Sequence, residues 1–336
     1  RYVDNPTAAN RRRLEDDLAA FLDRRILAGW RIDRIDGSFP RVMSRAMTEA
    51  VRLVLSRLFE TLVPDQQGVA FFALGSFGVG EPRLSSDADV LVVSDGRAIE
   101  PLTRSIQQMS RFFSETNLLK IDFRLRGEGA NAPLVQDLST YRRYFADRMS
   151  PWERVAFAKC VCWGGDPAVA DAFFETLLAV LTSPVSAANL AALVDTRKQL
   201  EGLVPRGREA FETKRSAGGR YDIEYLTAVA LAETGAPFPL DADTVKRLEI
   251  IAAAGLITDE DLDLMTAALD FFGRVDFLME FQEMPLPQTA EKIARTSHYL
   301  DRTFELLGLP ADGGVRRTLD EHKRRVRACF EKRGLA

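Results

Sequence analysis

Residues 71–95 read FFALGSFGVGEPRLSSDADVLVVSD, and this stretch decides how the rest of the chain is read. An apolar run ends in Gly75-Ser76. A polar stretch follows, and a second apolar run opens behind two acids two positions apart, Asp87 and Asp89. Both runs are short, β-branched or aromatic, and bounded by Gly, Ser and Asp, the pattern of strands buried on both faces. Two strands and a Ser-capped turn would satisfy that pattern with no further chemistry. The paired acids ask for more. Side chains two apart on a strand share a face. Two neighbouring carboxylates raise each other's pKa unless a cation lies between them.

The next strand signal sharpens the reading. LLKIDFRLR at 118–126 predicts a third strand, and it carries a third acid, Asp122. Mg²⁺ is usually held by one or two carboxylates plus substrate phosphates. Three carboxylates on neighbouring strands suit two such ions at the roughly 3.5–4 Å separation of in-line phosphoryl chemistry. Gly75 and Ser76 end the strand before the paired acids. There a glycine lets the backbone approach a phosphate, and N–H groups at a following helix start would bind it. Asp87, Asp89 and Asp122 are therefore the candidate metal and catalytic residues, with Gly75 and Ser76 at the nucleotide.

Composition bounds the alternatives. The chain has 336 residues, 46% hydrophobic and 28% charged, which is ordinary for a globular protein of one or two domains. A formal net charge of −4 gives no basic field to attract nucleic acid. Cys160, Cys162 and Cys329 lack zinc spacing and read as reduced core cysteines. No apolar run reaches the ~18 residues that span a bilayer. The chain opens on Arg1 without a signal-peptide pattern, so the expectation is a cytoplasmic protein, or a piece of a longer one.

Outside the strand region the texture is helical. Leu14, Leu18, Phe21 and Leu22 recur at helical spacing, as do Met47, Val51, Leu55 and Leu58. From about residue 133 onward no further strand is expected, and PWERVAFAKCVCW, DPAVADAFFETLLAVL, YDIEYLTAVALAETG and TDEDLDLMTAALDFF all read as amphipathic helices. The expected fold is α+β, with an N-terminal helical segment (1–63), a small mixed β-sheet core (64–132) and a C-terminal helical bundle (133–336). His298 and His322 stand isolated and read as surface or packing residues.

Five motifs in order then carry a resemblance. They are GSFGVGEPRLSSDADVLVV, KIDFRLRGEGANAPLV, YRRYFADRMSPWERVAFAKCVCWGGDP, FETKRSAGGRYDIEYL and AAAGLITDEDLDLMTAALDFFGRVDFLME. Together they resemble the catalytic module of the glutamine synthetase adenylyltransferase/deadenylyltransferase family, within the DNA polymerase beta-type nucleotidyltransferase superfamily. The likeness covers roughly residues 40–310. It implies a Mg²⁺-dependent enzyme that transfers AMP from ATP to a protein tyrosine, or removes it by phosphorolysis. Glutamine synthetase is the implied partner, and regulation of nitrogen metabolism the implied role.

By that resemblance, Asp87 and Asp89 match the metal-binding pair, Asp122 the third acid, and Gly75, Ser76 and Ser86 the nucleotide turn. Arg124 and Arg126 match an Arg-Leu-Arg pair that meets triphosphate oxygens or pairs with nearby acids. Glu81 reads as a structural partner. Gly218, Gly219, Asp222 and Glu224 match a second glycine-rich motif, with the acids capping a helix or reaching the cleft. Trp152 is expected to pack. The chain departs from the family at Ser76, where a basic residue is usual, at Gly127, where Pro is usual, and at Ser216-Ala217, where Gly-Pro is usual. The family carries two modules in tandem and this chain one. Two further readings stay open: a regulatory nucleotide-binding module without transfer, and a nucleotidyltransferase for a small-molecule acceptor.

Overall fold

The computed structural model describes residues 39–335 apart from 98, 117–118, 125–126, 128–131, 235–237, 282–283, 285, 308 and 310. The helix expected around Leu14–Leu22 lies outside the described residues. The chain forms two compact units, one holding residues 43–181 and the other residues 182–335 together with 39–42. Among the described residues there are twelve α-helices and a five-stranded mixed sheet, an α+β architecture.

The first unit is built on that sheet. Helix α1 (Phe39–Leu62) turns Met43, Leu55 and Phe59 inward and leaves Arg52 and Glu60 in solvent. Strand β1 (Val69–Leu74) is buried at every residue, and the one-turn helix α2 (Gly75–Gly78) follows it directly. Strand β2 (Ala88–Ser94) returns antiparallel to β1, with Leu74 opposite Asp89. After helix α3 (Ile99–Thr116), strand β3 (Ile121–Asp122) pairs parallel with the start of β2.

Both sheet faces are covered, which explains why β1 and the middle of β2 (Val90–Val93) are continuously apolar rather than alternating. Phe71 stacks on Phe59 of α1 at 5.1 Å, in a cluster that includes Ile106 and Met109 of α3. On the opposite face Phe72 meets Phe173 at 4.7 Å, from helix α6 (Pro167–Leu181).

Two strands correct the expectation that none follows residue 133. Strand β4 (Val135–Asp137) pairs parallel with the second half of β2, and strand β5 (Val161–Gly165) pairs antiparallel with β1. β4 is only three residues long before Asp137 caps helix α4 (Leu138–Asp147) by accepting from the Thr140 N–H at 2.7 Å. That is too short for a period to register. The helix expected over PWERVAFAKCVCW is confined to α5 (Glu153–Phe157), and its second half is β5. Val161 and Trp163 there alternate onto the α1 face of the sheet, so pairing at the β1 edge overrides the helical pattern. Trp152 is a second correction: it stands 37% exposed at the start of α5 rather than packed.

The second unit is helical: α7 (Ala187–Gly202), α8 (Arg220–Glu233), α9 (Thr244–Ala253), α10 (Asp259–Phe281), α11 (Ala290–Leu306) and α12 (Val315–Lys332). The capping signals hold locally. Asp243 accepts from the Lys246 N–H at 2.8 Å to open α9, and Thr289 accepts from the Lys292 N–H at 3.3 Å to open α11. α12 buries Val315, Leu319, Val326 and Phe330 and holds Arg316, Arg317, Arg324 and Arg325 in solvent. His322 packs beside Phe271, with ring centroids 5.2 Å apart. Cys160, Cys162 and Cys329 are all free. No helix among the described residues is long and apolar enough to cross a membrane.

Candidate active site

The sheet brings the acids of the opening stretch toward one place. Asp89 lies on β2 and Asp122 on β3, and they stand directly opposite in the parallel ladder. Parallel neighbours in register project to the same side of a sheet, so both carboxylates leave from one edge of the core. Asp87 precedes the first ladder residue, Ala88, and so sits at the end of the turn rather than on the strand.

Gly75 closes this arrangement from β1. Its φ is +61°, the left-handed region that favours glycine, and a Cβ there would stand 2.6 Å from Asp89 Oδ2. The missing side chain is the space that the Asp89 carboxylate occupies. The helix that follows is a single turn, too short for the helix-dipole part of the expected phosphate cradle. What remains there is bare backbone at Gly75 and Ser76. The Ser76 carbonyl accepts from the Glu81 N–H at 2.8 Å, which folds the loop back on itself.

Ser86 belongs to the turn. Its Oγ accepts from the Arg83 N–H at 2.9 Å, while its own N–H donates to the Arg83 carbonyl at 3.1 Å. This local bonding shapes the approach to Asp87.

The expected third strand is shorter than LLKIDFRLR, because the chain turns immediately after Asp122. The Arg124 N–H donates to Asp122 Oδ1 at 2.7 Å, an Asx turn, and Arg124 Nε donates to Oδ2 at 2.7 Å. Arg124 Nη2 also pairs with Oδ2. The guanidinium is held protonated first by this bond to Asp122 and further by the charges of Asp87 and Asp89, so all three carboxylates act on it. Of the two readings of the Arg-Leu-Arg pair, Arg124 therefore takes the pairing with a nearby acid. Arg126 lies outside the described residues.

Sequence reasoning missed the support behind this loop. Gln136 Nε2 donates to the Gly127 carbonyl at 2.9 Å, and the Gly127 N–H reaches the Tyr141 hydroxyl at 3.5 Å. The Tyr144 hydroxyl donates to Glu153, whose other carboxylate oxygen accepts from the Ser150 N–H at 2.7 Å. Ser150-Pro151-Trp152-Glu153 has the spacing of a capping box, of which the structure forms the half from the Ser150 N–H to Glu153. The Gln136 bond has no signature in spacing.

The second glycine-rich motif is a structural knot in the helical unit. Asp222 is fully buried, and it accepts from Arg197 Nε at 2.6 Å, from the Gly218 N–H at 2.8 Å and from Arg327 Nη1 at 3.3 Å. Gly218, at φ +72°, lies where a side chain would collide with the Lys323 carbonyl, and a Cβ on Gly219 would stand 2.7 Å from the Thr213 carbonyl. Helix α8 opens at Gly219 with no side-chain cap bond, and Asp222 in its first turn is instead tied to Arg197, to Arg327 and to the Gly218 N–H just ahead of the helix. Glu224, half-buried two residues further along α8, is also engaged with neighbours. Arg197 and Arg327 stand 25 and 105 residues from Asp222, so no local pattern pointed to them.

The donor set at the sheet edge is carboxylate oxygen, which suits a hard cation such as Mg²⁺ rather than a thiolate- or imidazole-seeking metal. Gly75 leaves the approach to Asp89 open to backbone, and a cation, the Arg124 guanidinium, already sits on Asp122. These features fit a divalent ion. Among the described residues no three acid, His or Cys side chains converge into a ready-made metal cage. Mg²⁺ does not require one, since phosphate oxygens and water complete its shell.

A small mixed sheet with acids in register on neighbouring strands, and a glycine turn against them, is the framework expected of a nucleotidyltransferase core. A sequence model of the glutamate-ammonia ligase adenylyltransferase family matches residues 10–176, about half of the chain. Over those residues the chain is similar to that family. Among its relatives, the bifunctional glutamine synthetase adenylyltransferase/adenylyl-removing enzyme of Mycobacterium leprae is 26% identical over 270 residues, covering 76% of this chain and 26% of the relative. The protein of the same description from Rhodopseudomonas palustris is 28% identical over 261 residues, covering 70% of this chain and 26% of the relative. That from Stenotrophomonas maltophilia is 28% identical over 308 residues, covering 85% and 32%. The chain thus spans about a quarter to a third of the length of these relatives.

Proposed function

We propose that the chain is a nucleotidyl-transfer module that moves AMP from ATP to a tyrosine hydroxyl of glutamine synthetase, or removes it by phosphorolysis. The observation that carries this reading is the register of Asp89 against Asp122, with Gly75 shaped around Asp89. The names of the relatives supply the acceptor.

Asp87, Asp89 and Asp122 would hold Mg²⁺, one or two ions. The metal would offset polyphosphate charge and acidify the acceptor hydroxyl. Gly75 and Ser76 offer backbone to the phosphates at the end of β1. Asp122, the acid beyond the pair, takes the proton of the attacking hydroxyl. The tyrosine oxygen forms its bond to the α-phosphorus as the bond to pyrophosphate breaks. In the removing direction inorganic phosphate attacks the same phosphorus, the tyrosine oxygen leaves with a proton from Asp122, and ADP is released. Removal is a separate reaction rather than the reverse of transfer, since phosphate attacks in place of pyrophosphate and ADP forms in place of ATP, but the same groups would serve it.

The test uses α-labelled ATP, Mg²⁺ and purified glutamine synthetase. Label on the synthetase supports transfer, and phosphate-dependent loss of AMP from pre-adenylylated synthetase supports removal. Nucleotide binding with neither reaction would overturn the proposal and leave a regulatory module.

A further inference from the structure

Arg124 holds a position that the transfer reading does not use. Both oxygens of Asp122 are engaged by residue 124: Oδ1 by its main-chain N–H at 2.7 Å and Oδ2 by its guanidinium, with Nε at 2.7 Å. The two partners are differently placed. The Asp122 side chain is 13% exposed, whereas that of Arg124 is 73% exposed and has room to swing. A monovalent cation of the chain itself thus sits on the Asp122 carboxylate. The main-chain bond to Oδ1 stays in place if the side chain leaves, so the carboxylate would keep its aim.

We propose that Arg124 is a built-in counter-ion that competes with the divalent cation for Asp122 and, once displaced, binds the polyphosphate of the nucleotide. The proposal rests on the nucleotidyl-transfer reading above and adds an order of events to it. Metal alone must displace a guanidinium whose Nε and Nη2 both reach Asp122 Oδ2, a charge-assisted contact. Metal arriving with a polyphosphate meets less opposition, because the guanidinium gains a new anion with matching geometry. Metal and nucleotide then favour each other's binding by equal factors.

The test is Mn²⁺ binding, followed by electron paramagnetic resonance at constant ionic strength, on the full chain and on Arg124→Gln, Asp122→Asn, Asp89→Asn and the Arg124→Gln/Asp122→Asn double variant. Without nucleotide, Arg124→Gln should tighten Mn²⁺ about five-fold, the upper range for a solvent-exposed pair. The same change in the Asp122→Asn background should alter affinity by less than about two-fold, since the contested carboxylate is gone. With Mg²⁺ saturating, Arg124→Gln should weaken a non-hydrolysable ATP analogue. No tightening, or equal tightening in both backgrounds, would overturn the proposal, the latter marking a general charge effect. Mn²⁺ affinity indifferent to both Asp89→Asn and Asp122→Asn, or no Mn²⁺ binding at all, would overturn the metal-site reading itself.

Discussion

Asp89 Oδ2 lies 2.6 Å from the point where a Cβ on residue 75 would stand. The strand that ends at Leu74 and the strand that carries Asp89 are therefore matched through a side chain that is not there.

Gly75→Ala tests this match. At φ +61° an alanine costs about 1–2 kcal/mol of stability and pushes the Asp89 carboxylate aside. Activity should fall far more than stability, because the displaced group is a proposed metal ligand. Gly80→Ala is the control: its φ is +75°, yet nothing lies within 4 Å of a Cβ there. It should cost similar stability in urea titration and spare label transfer. Equal activity losses in the two variants would contradict the assignment.

Asp222→Ala should destabilise the chain by about 3–5 kcal/mol, since it leaves Arg197 buried without its carboxylate. Urea unfolding measures this. A loss below about 1 kcal/mol would mean that Glu201, 3.7 Å from Arg197 Nη1, suffices as its partner.

The difference between these two sites explains what the sequence makes legible. Gly75, Asp87, Asp89 and Asp122 are visible because strand periodicity is short and their chemistry is rare at that spacing. Arg197 and Arg327 were invisible because a buried pair across 25 or 105 residues leaves no local trace. Strands β4 and β5 were missed for a related reason. Three residues ending in a cap, and five residues following a one-turn helix, carry too little period to oppose the helical context. The Asx turn that stops β3 at Asp122 joins residues only two apart, yet it depends on a side-chain rotamer that composition does not specify.

Lys323 gives a pH signature. Burial pushes its ammonium down to about 8, against an ordinary 10.5, although Glu212, Asp320, Asp276 and Glu209 partly oppose the shift. The folded protein releases this proton near pH 8 while the unfolded chain keeps it to about 10.5, so the unfolded state binds more protons in that window. Stability contributed by this group should therefore rise with pH between those values, and the burial penalty is fully present below pH 8. Lys323→Met should flatten that rise in urea titrations across the window. A slope that persists in the variant would assign it to other groups.

The central claim is that Asp89 and Asp122 act as one unit at the site where AMP is transferred. The most direct measurement is the rate of label transfer from α-labelled ATP to glutamine synthetase for Asp89→Asn, Asp122→Asn and the double variant. Each single change should lower the rate at least about a thousand-fold, and the double should be little worse than either, as for residues working together. Mild single losses that multiply in the double variant would contradict a shared site.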